Sequence, residues 1–190
     1  ELEAVNTILS TIGESPLNTL SGSLPVDGTI AKNVLSEVSR EVQSQGWHFN
    51  THYKVSLSRD TDNKIPLSTN IVRVEIDPRQ YSKVSYDIVQ RNNFLYNLAK
   101  NEDTFDTNFK DATAVYLLPF DEIPEQAKRY ITIRSARIFH DRTLGANTIH
   151  KFSLEDEAKS LSILKQAESH TGDYSIFDTP EQAYTIIRGN

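Results

Sequence analysis

Apolar residues recur with a helical period at both ends of this chain and with a two-residue period in its middle. Steps of three and four residues predict an amphipathic helix near the start that ends before Gly13. The apolar stripe of this first helix consists of Leu2, Val5, Ile8, Leu9 and Ile12. Because the middle alternates instead, the chain has to combine helices with strands that have one buried face.

A second helix is predicted after the glycine-containing loop between Gly22 and Gly28, and it should close near Gly46. Asp27 is the expected N-cap, since a carboxylate accepts the unpaired N–H groups of a first turn. The stripe expected to be buried consists of Ala31, Val34, Leu35, Val38 and Val42.

Alternation after Trp47 predicts a run of short strands. The predicted strands cover 53–57, 72–76, 84–88, 94–98 and 115–118. Asn92 and Asn93 separate two of them, and because Asn tolerates positive φ, we expect a tight hairpin turn there. Residues 101–111 carry four acidic side chains against Lys110 alone, which indicates a solvated loop.

Helical spacing returns at residue 122, with Pro124 in a first turn where its missing N–H needs no partner. The buried side of this third helix is expected to hold Ala127, Tyr130, Ile131 and Ile138. A fourth helix is predicted to run from the Ser153 and Asp156 capping-box pattern to about Gly172. Its apolar stripe would be Leu154, Ala158, Leu161 and Leu164.

Two helices, a strand-rich middle and two further helices predict an α+β fold. Each helix has a single stripe to bury, so we expect a four-helix unit with an inserted antiparallel strand-rich region and an extended C-terminal tail. The predicted domains are a helical bundle formed by 1–50 and 121–172, a β-rich insert over 51–120, and a tail over 173–190.

Composition excludes several classes of protein. The 190 residues contain no cysteine, which rules out disulfides, thiolate zinc sites, iron–sulfur clusters and thiol catalysis. The seven glycines show neither the P-loop nor the dinucleotide-binding spacing. A net charge of −6 argues against an electrostatic grip on nucleic acid, and no apolar run is long enough to predict membrane insertion. We expect a protein that is soluble and intracellular, or one that is assembled inside a cell.

The candidate chemical groups favour no catalytic or metal site, and no cofactor is expected. His48 and His52 would lie about 13 Å apart on a strand, too far for a shared metal ion. Asp60 and Asp62 begin like a calcium loop, but Lys64 replaces the third oxygen ligand. A carboxylate pair, Asp121 and Glu122, starts a helix, where capping is the commoner use. A hydrolase in which this pair acts on a glycosidic bond is the enzymatic alternative.

Two features predict contacts between proteins. The third helix is basic, and its cations could pair with an acidic segment of a neighbouring subunit, although a solvated face or DNA contact would use the same charges. The inter-subunit candidates are Lys128, Arg129, Arg134, Arg137, Glu155, Asp156 and Glu157, with the acidic 102–111 segment as a further option. The tail holds six large apolar residues without a period: Tyr174, Ile176, Phe177, Tyr184, Ile186 and Ile187.

Four stretches together carry a family resemblance. They are 2–20 (LEAVNTILSTIGESPLNTL), 45–50 (QGWHFN), 118–142 (LPFDEIPEQAKRYITIRSARIFHDR) and 154–159 (LEDEAK). In this order they resemble the tail tubular protein A family of T7-like short-tailed bacteriophages. The strand-rich middle is only loosely similar.

The resemblance implies a structural virion protein without catalytic residues, located in the tail and assembled in the host cytoplasm. Such a head-to-tail adaptor forms a homo-oligomeric ring of twelve copies beneath the portal protein and continues the DNA channel without specific DNA binding. A tail nozzle (tubular B) protein lies below it and tail fibres dock at its side. The apolar tail residues are the candidates for portal contact. Because some related tail proteins degrade polymers, a tail-associated polysaccharide or peptidoglycan hydrolase is the alternative function.

Overall fold

A computed structural model describes residues 1–77, 79–82, 84–145 and 152–172 of the chain. The helices are α1 (Leu2–Leu9), α2 (Val26–Gln43), α3 (Glu125–Leu144) and α4 (Leu154–Gly172), with single 3-10 turns at His48–Asn50 and Phe120–Glu122. The strands are β1 (Thr51–Leu57), β2 (Ile71–Glu75), β3 (Ile88–Arg91), β4 (Phe94–Asn97) and β5 (Phe109–Tyr116). The predicted α+β fold, with four helices and antiparallel strands, is confirmed.

The four helices share one apolar core, in which α3 packs against each of the other three. All five residues of the stripe predicted for α2 are buried there, as are Val5, Ile8 and Leu9 of α1. The third helix is buried on more sides than predicted, because it lies among the others: Thr132, Ser135 and Phe139 are buried besides Tyr130 and Ile131. Every helix in the described ranges is too short or too polar to span a bilayer.

The strands form two antiparallel sheets. In the three-stranded sheet β5 lies between β1 and β2, and β3 pairs with β4 in a separate hairpin. Asn92 and Asn93 both have positive φ, 49° and 61°, and Arg91 pairs with Phe94 across them, so the predicted two-residue turn is confirmed. A second apolar core fills the strand-rich part, centred on Phe109 and Leu95.

Buried amides join the bundle to the sheet. Gln43, at the end of α2, donates to the carbonyl of Leu118 and accepts from its N–H, at 3.1 and 2.8 Å. Asn50 donates to the carbonyls of Gln43 and Tyr116 and accepts from the N–H of Trp47. Both amides are fully buried, so their hydrogen bonds have no competition from water. The bonds therefore hold the start of β1 and the end of β5 in place against the C-terminal end of α2. Whether the parts are separate domains with the predicted boundaries stays a prediction.

Several local predictions are wrong. Val84 is 88% exposed and lies in a turn closed by Ser82, so the third strand begins only at Ile88. The last strand begins at Phe109, inside the segment predicted to be a solvated loop, because Phe105 and Phe109 are buried in an edge-to-face aromatic cluster. Asp27 is not the N-cap of α2, since the helix begins at Val26.

The stripe predicted for α4 is correct only in its second half, where Leu161 and Leu164 pack in the helical core, although the bounds of the helix agree with the prediction. Leu154 is 70% exposed and Ala158 is exposed, while Leu164 is fully buried. The buried side instead contains Glu157 and Ser160. The capping box is confirmed: Ser153 donates from its N–H and hydroxyl to the Asp156 carboxylate and accepts the Asp156 N–H in return.

Candidate functional site

Arginines of the basic helix α3 form ion pairs with acidic residues of the neighbouring helices α2 and α4. The Arg134 guanidinium donates to Glu157 of α4 at 2.8 Å and to Glu41 of α2 at 2.7 Å. Arg137 donates to the other Glu157 oxygen at 2.6 Å and to Asp141 at 3.1 Å. The carboxylate of Glu157 is therefore shared between two cations, and three helices meet in one ion network.

A second pair lies two turns further along. Arg142 binds Glu37 of α2 through both guanidinium nitrogens, at 2.8 and 2.9 Å. This hydrogen-bonded pair lowers the pKa of Glu37. Because Glu37 pairs with Arg142 and Glu41 with Arg134, α2 and α3 run antiparallel. The sequence signal was present, since Glu37 and Glu41 are four residues apart and thus share one face of α2, but the sequence analysis looked for the acidic partners in a neighbouring subunit.

The structure thus brings Arg134, Arg137 and Glu157 together within one chain, while the other four predicted inter-subunit residues lie apart from them. Lys128 pairs with Glu125 at 2.8 Å, and the Arg129 guanidinium lies 5.6 Å from the ring centre of Phe152. Asp156 caps its own helix and Glu155 is exposed. A role of these seven residues between subunits stays a prediction.

The acidic 102–111 segment also has partners within the chain. Asp103 pairs with Lys64 at 2.6 Å. Asp106 accepts a hydrogen bond of 2.6 Å from the Tyr86 hydroxyl, which lowers the pKa of the Asp106 carboxyl. These contacts fasten the segment to the rest of the strand-rich part.

The residues weighed for catalysis and metal binding have other contacts. Asp121 is in a 3-10 turn, largely exposed, and accepts a hydrogen bond of 2.7 Å from the amino group of Glu1. The ring of His52 lies 4.5 Å from that of Tyr116. Asp60 accepts the N–H groups of Asp62 and Lys64, as in a polar turn. Within the described ranges no group of three or more acidic or histidine side chains is placed to hold a metal ion.

Two surface features lie at opposite ends of α2. We call the first the α2 tip; it consists of Val26, Asp27 and Ile30, with Val26 73% exposed. The second is a groove of about 440 Å³ beside the 3-10 turn that follows α2. Its walls include His48, Phe49, His52 and Tyr53 on one side and Leu164, Ala167 and Glu168 of α4 on the other. No sequence pattern pointed to the groove, because its walls are more than 100 residues apart in the chain.

The predicted portal-contact residues, from Tyr174 to Ile187, lie outside the described residues.

Comparison with known proteins gives two matches. A family model described as "Tail tubular protein" matches residues 2–174. The chain is also 27% identical over 168 residues to Tail tubular protein A of Klebsiella phage KP34, an alignment that covers 87% of this chain and 86% of that protein. The residues matched by the family model include the four helices and the strand-rich middle.

Proposed function

The chain belongs to the tail tubular protein family and is a structural protein of a bacteriophage tail, and from this premise we propose that it is a head-to-tail adaptor. Twelve copies of it form a closed ring, which lies between the portal protein and the tail nozzle. Tail fibres dock at the side of the ring. The ring assembles in the host cytoplasm without membrane insertion, and the phage belongs to the T7-like short-tailed group.

The observation that carries the proposal is the family match over nearly the whole length of the chain. Charge supports it too. A conduit should not hold the DNA that passes through it, and a subunit with a net charge of −6 offers little attraction to phosphates. The arginines of α3 fit the same view, because Arg134, Arg137 and Arg142 are already neutralised by carboxylates of their own chain.

The portal attaches to the tail residues from Tyr174 to Ile187 in this proposal. The protein itself is not a catalyst and needs no cofactor. A ring made of identical subunits requires that each copy present two different, complementary surfaces, since the contacts in a closed ring of more than two copies are head-to-tail.

Sedimentation with the cognate portal protein tests the proposal. At micromolar concentration the protein should co-sediment with the portal as a complex of fixed stoichiometry, and electron microscopy of that complex should show a ring. Failure to co-sediment would refute the adaptor role. Degradation of cell-wall or capsule polymer that is lost in Asp121→Ala or Glu122→Ala would establish the hydrolase instead, with Glu125→Ala as the matched control.

A further inference from the structure

We propose that the strand-rich part rotates as one body relative to the bundle, so that β1 moves toward the end of α4 and closes the groove between them. The pivot consists of the buried amides Gln43 and Asn50 with the backbone groups that they bind, and we call it the amide joint. The inference concerns a single subunit and goes beyond the adaptor function. It therefore stands or falls separately from the proposed ring.

The bundle and the strand-rich part have separate apolar cores. Within the described ranges no residue belongs to both cores, and no helix packs broadly against a strand. The chain crosses between the two parts at two neighbouring points, since Asn50 donates to Tyr116 where β1 begins and β5 ends. Parts that meet through a small, polar contact are expected to move relative to each other, which a large apolar interface would prevent.

The bonds of the amide joint lie close together and can persist during such a motion. Gln43 exchanges two hydrogen bonds with Leu118, and Asn50 donates to the carbonyls of Gln43 and Tyr116. All of these bonds lie at the end of β5, which is the central strand of its sheet. A rotation about this point is absorbed by the backbone torsions of the two connections, as at other hinges. The joint thus permits rotation without the loss of its buried bonds.

The two sides of this pivot differ in the room that they leave. On the side of β2, Arg73 and Val115 lie against the backbone of Gly46, where even a methyl group would collide with them. On the side of β1, the groove of about 440 Å³ separates Tyr53 from α4. The strand-rich part can therefore turn in one direction, which is the direction that brings β1 toward α4.

Few contacts hold the open arrangement in place. In the described part of the chain, the N–H of Phe49 donates to Glu168 of α4 at 3.4 Å, and on the opposite side Arg73 donates to the carbonyl of Gln45 at 3.4 Å. Both bonds are longer than the usual range of roughly 2.7–3.2 Å and are correspondingly weak. Closure would remove part of the Tyr53 side chain, which is 56% exposed, from water. The open and closed arrangements therefore differ little in free energy, which is the condition for both to be populated.

Spin labels on introduced cysteines measure this motion, because the chain contains no cysteine of its own. Ser56→Cys on β1 and Lys165→Cys on α4 place the labels at exposed sites of the two parts. Double electron–electron resonance of the free protein should show two distances between the labels, one for the open arrangement and a shorter one for the closed arrangement. The matched pair, Ser36→Cys with Lys165→Cys, lies within the bundle and should show a single distance.

A side chain that fills the groove tests the direction of the motion. Ala167→Phe adds a ring between the walls of the groove and should abolish the shorter distance. Ser162→Phe adds the same ring at an exposed position of the same helix and should leave both distances in place. A single distance in the protein without the added ring, or a shorter distance that persists in Ala167→Phe, would overturn the inference. Neither result would affect the adaptor function, which co-sedimentation with the portal tests by itself.

Discussion

Glu157 forms ion pairs with two arginines at once, and its carboxylate links α4 to α3. One oxygen accepts from Arg134 and the other from Arg137, and the Glu157 side chain is only 11% exposed. Without Glu157, Arg134 would keep only Glu41 and Arg137 only Asp141 as ion-pair partners among the described residues, and a partly buried cation that loses one of its partners is less well compensated. The network therefore adds ion pairs to the apolar packing of Leu161 and Leu164 that also holds α4.

Replacement of that carboxylate should destabilise the folded subunit. Glu157→Gln retains the shape of the side chain, but leaves two partly buried guanidinium groups without their shared anion. We expect the free energy of unfolding to fall by roughly 2–3 kcal/mol, somewhat below the cost for a fully buried pair because water reaches Arg134. Chemical denaturation of the purified protein measures the change.

Glu155→Gln is the matched control, since it removes the same charge from an exposed position of the same helix. It should change stability by no more than about 0.5 kcal/mol. If Glu157→Gln is as stable as the wild type but fails to form rings, these arginines belong to an interface between subunits, as the sequence alone suggested, and the intrachain network is not what holds α4.

At the scale of the elements, the helical periods gave reliable predictions where one stripe dominated. The α2 stripe is correct because its five positions are all apolar and all face α3 or α1. The α4 stripe is wrong at Leu154 and Ala158 and correct at Leu161 and Leu164. The helix has apolar residues on two sides, and periodicity alone does not show which side packs against α3. Leu154 and Ile163 are exposed, because the side of α4 that carries Glu157 packs against α3.

The cap of α4 predicts a specific pH dependence. Hydrogen bonds from the N–H and hydroxyl of Ser153 lower the pKa of Asp156 in the folded protein. A carboxyl with a depressed pKa stabilises the fold above its unfolded pKa, near 3.9, and loses that contribution as the pH falls through the folded value. Asp156→Asn should therefore be less stable than the wild type at pH 6, and the difference should shrink toward zero between about pH 5 and pH 2.

Hydrogen exchange of the α4 amides across this pH range measures the effect locally. The comparison with Asp156→Asn is needed because Glu37, Asp77 and Asp106 also have lowered pKa values and contribute to the acid sensitivity of the whole protein. Glu155→Gln serves again as the control for charge near the helix start. A stability difference that is independent of pH would show that the cap does not depend on the ionised carboxylate.

At the scale of the whole molecule, the part that sequence reasoning missed is the joint between bundle and sheet. Gln43 meets Leu118 across 75 residues and Asn50 meets Tyr116 across 66. A polar residue at a helix end resembles any surface residue in a sequence, and only the three-dimensional path of the chain shows that it is buried. The groove and the ion network went unpredicted for the same reason, since each combines residues from distant segments.

Residues 173–190 are expected to contribute to portal binding and not to the stability of the subunit. No described residue beyond Leu164 belongs to the fully buried part of the helical core. Because the apolar residues of the tail have no period that would bury them in their own subunit, truncation after Gly172 should change the melting temperature by no more than about 2 °C. The same truncation should abolish attachment to the portal, because six apolar side chains that could each contribute about 1–3 kcal/mol on burial are lost from every subunit of the ring.

Thermal unfolding and portal co-sedimentation of the same preparation separate the two claims. The matched control retains the length of the tail and replaces only polar residues, with Asp178→Asn and Glu181→Gln, and it should still bind the portal. A truncated protein that melts many degrees earlier would place the tail in the core of its own subunit. One that melts normally and still co-sediments would move the portal contact to the body of the protein, where the exposed side of α4 around Ile163 would be the next surface to vary.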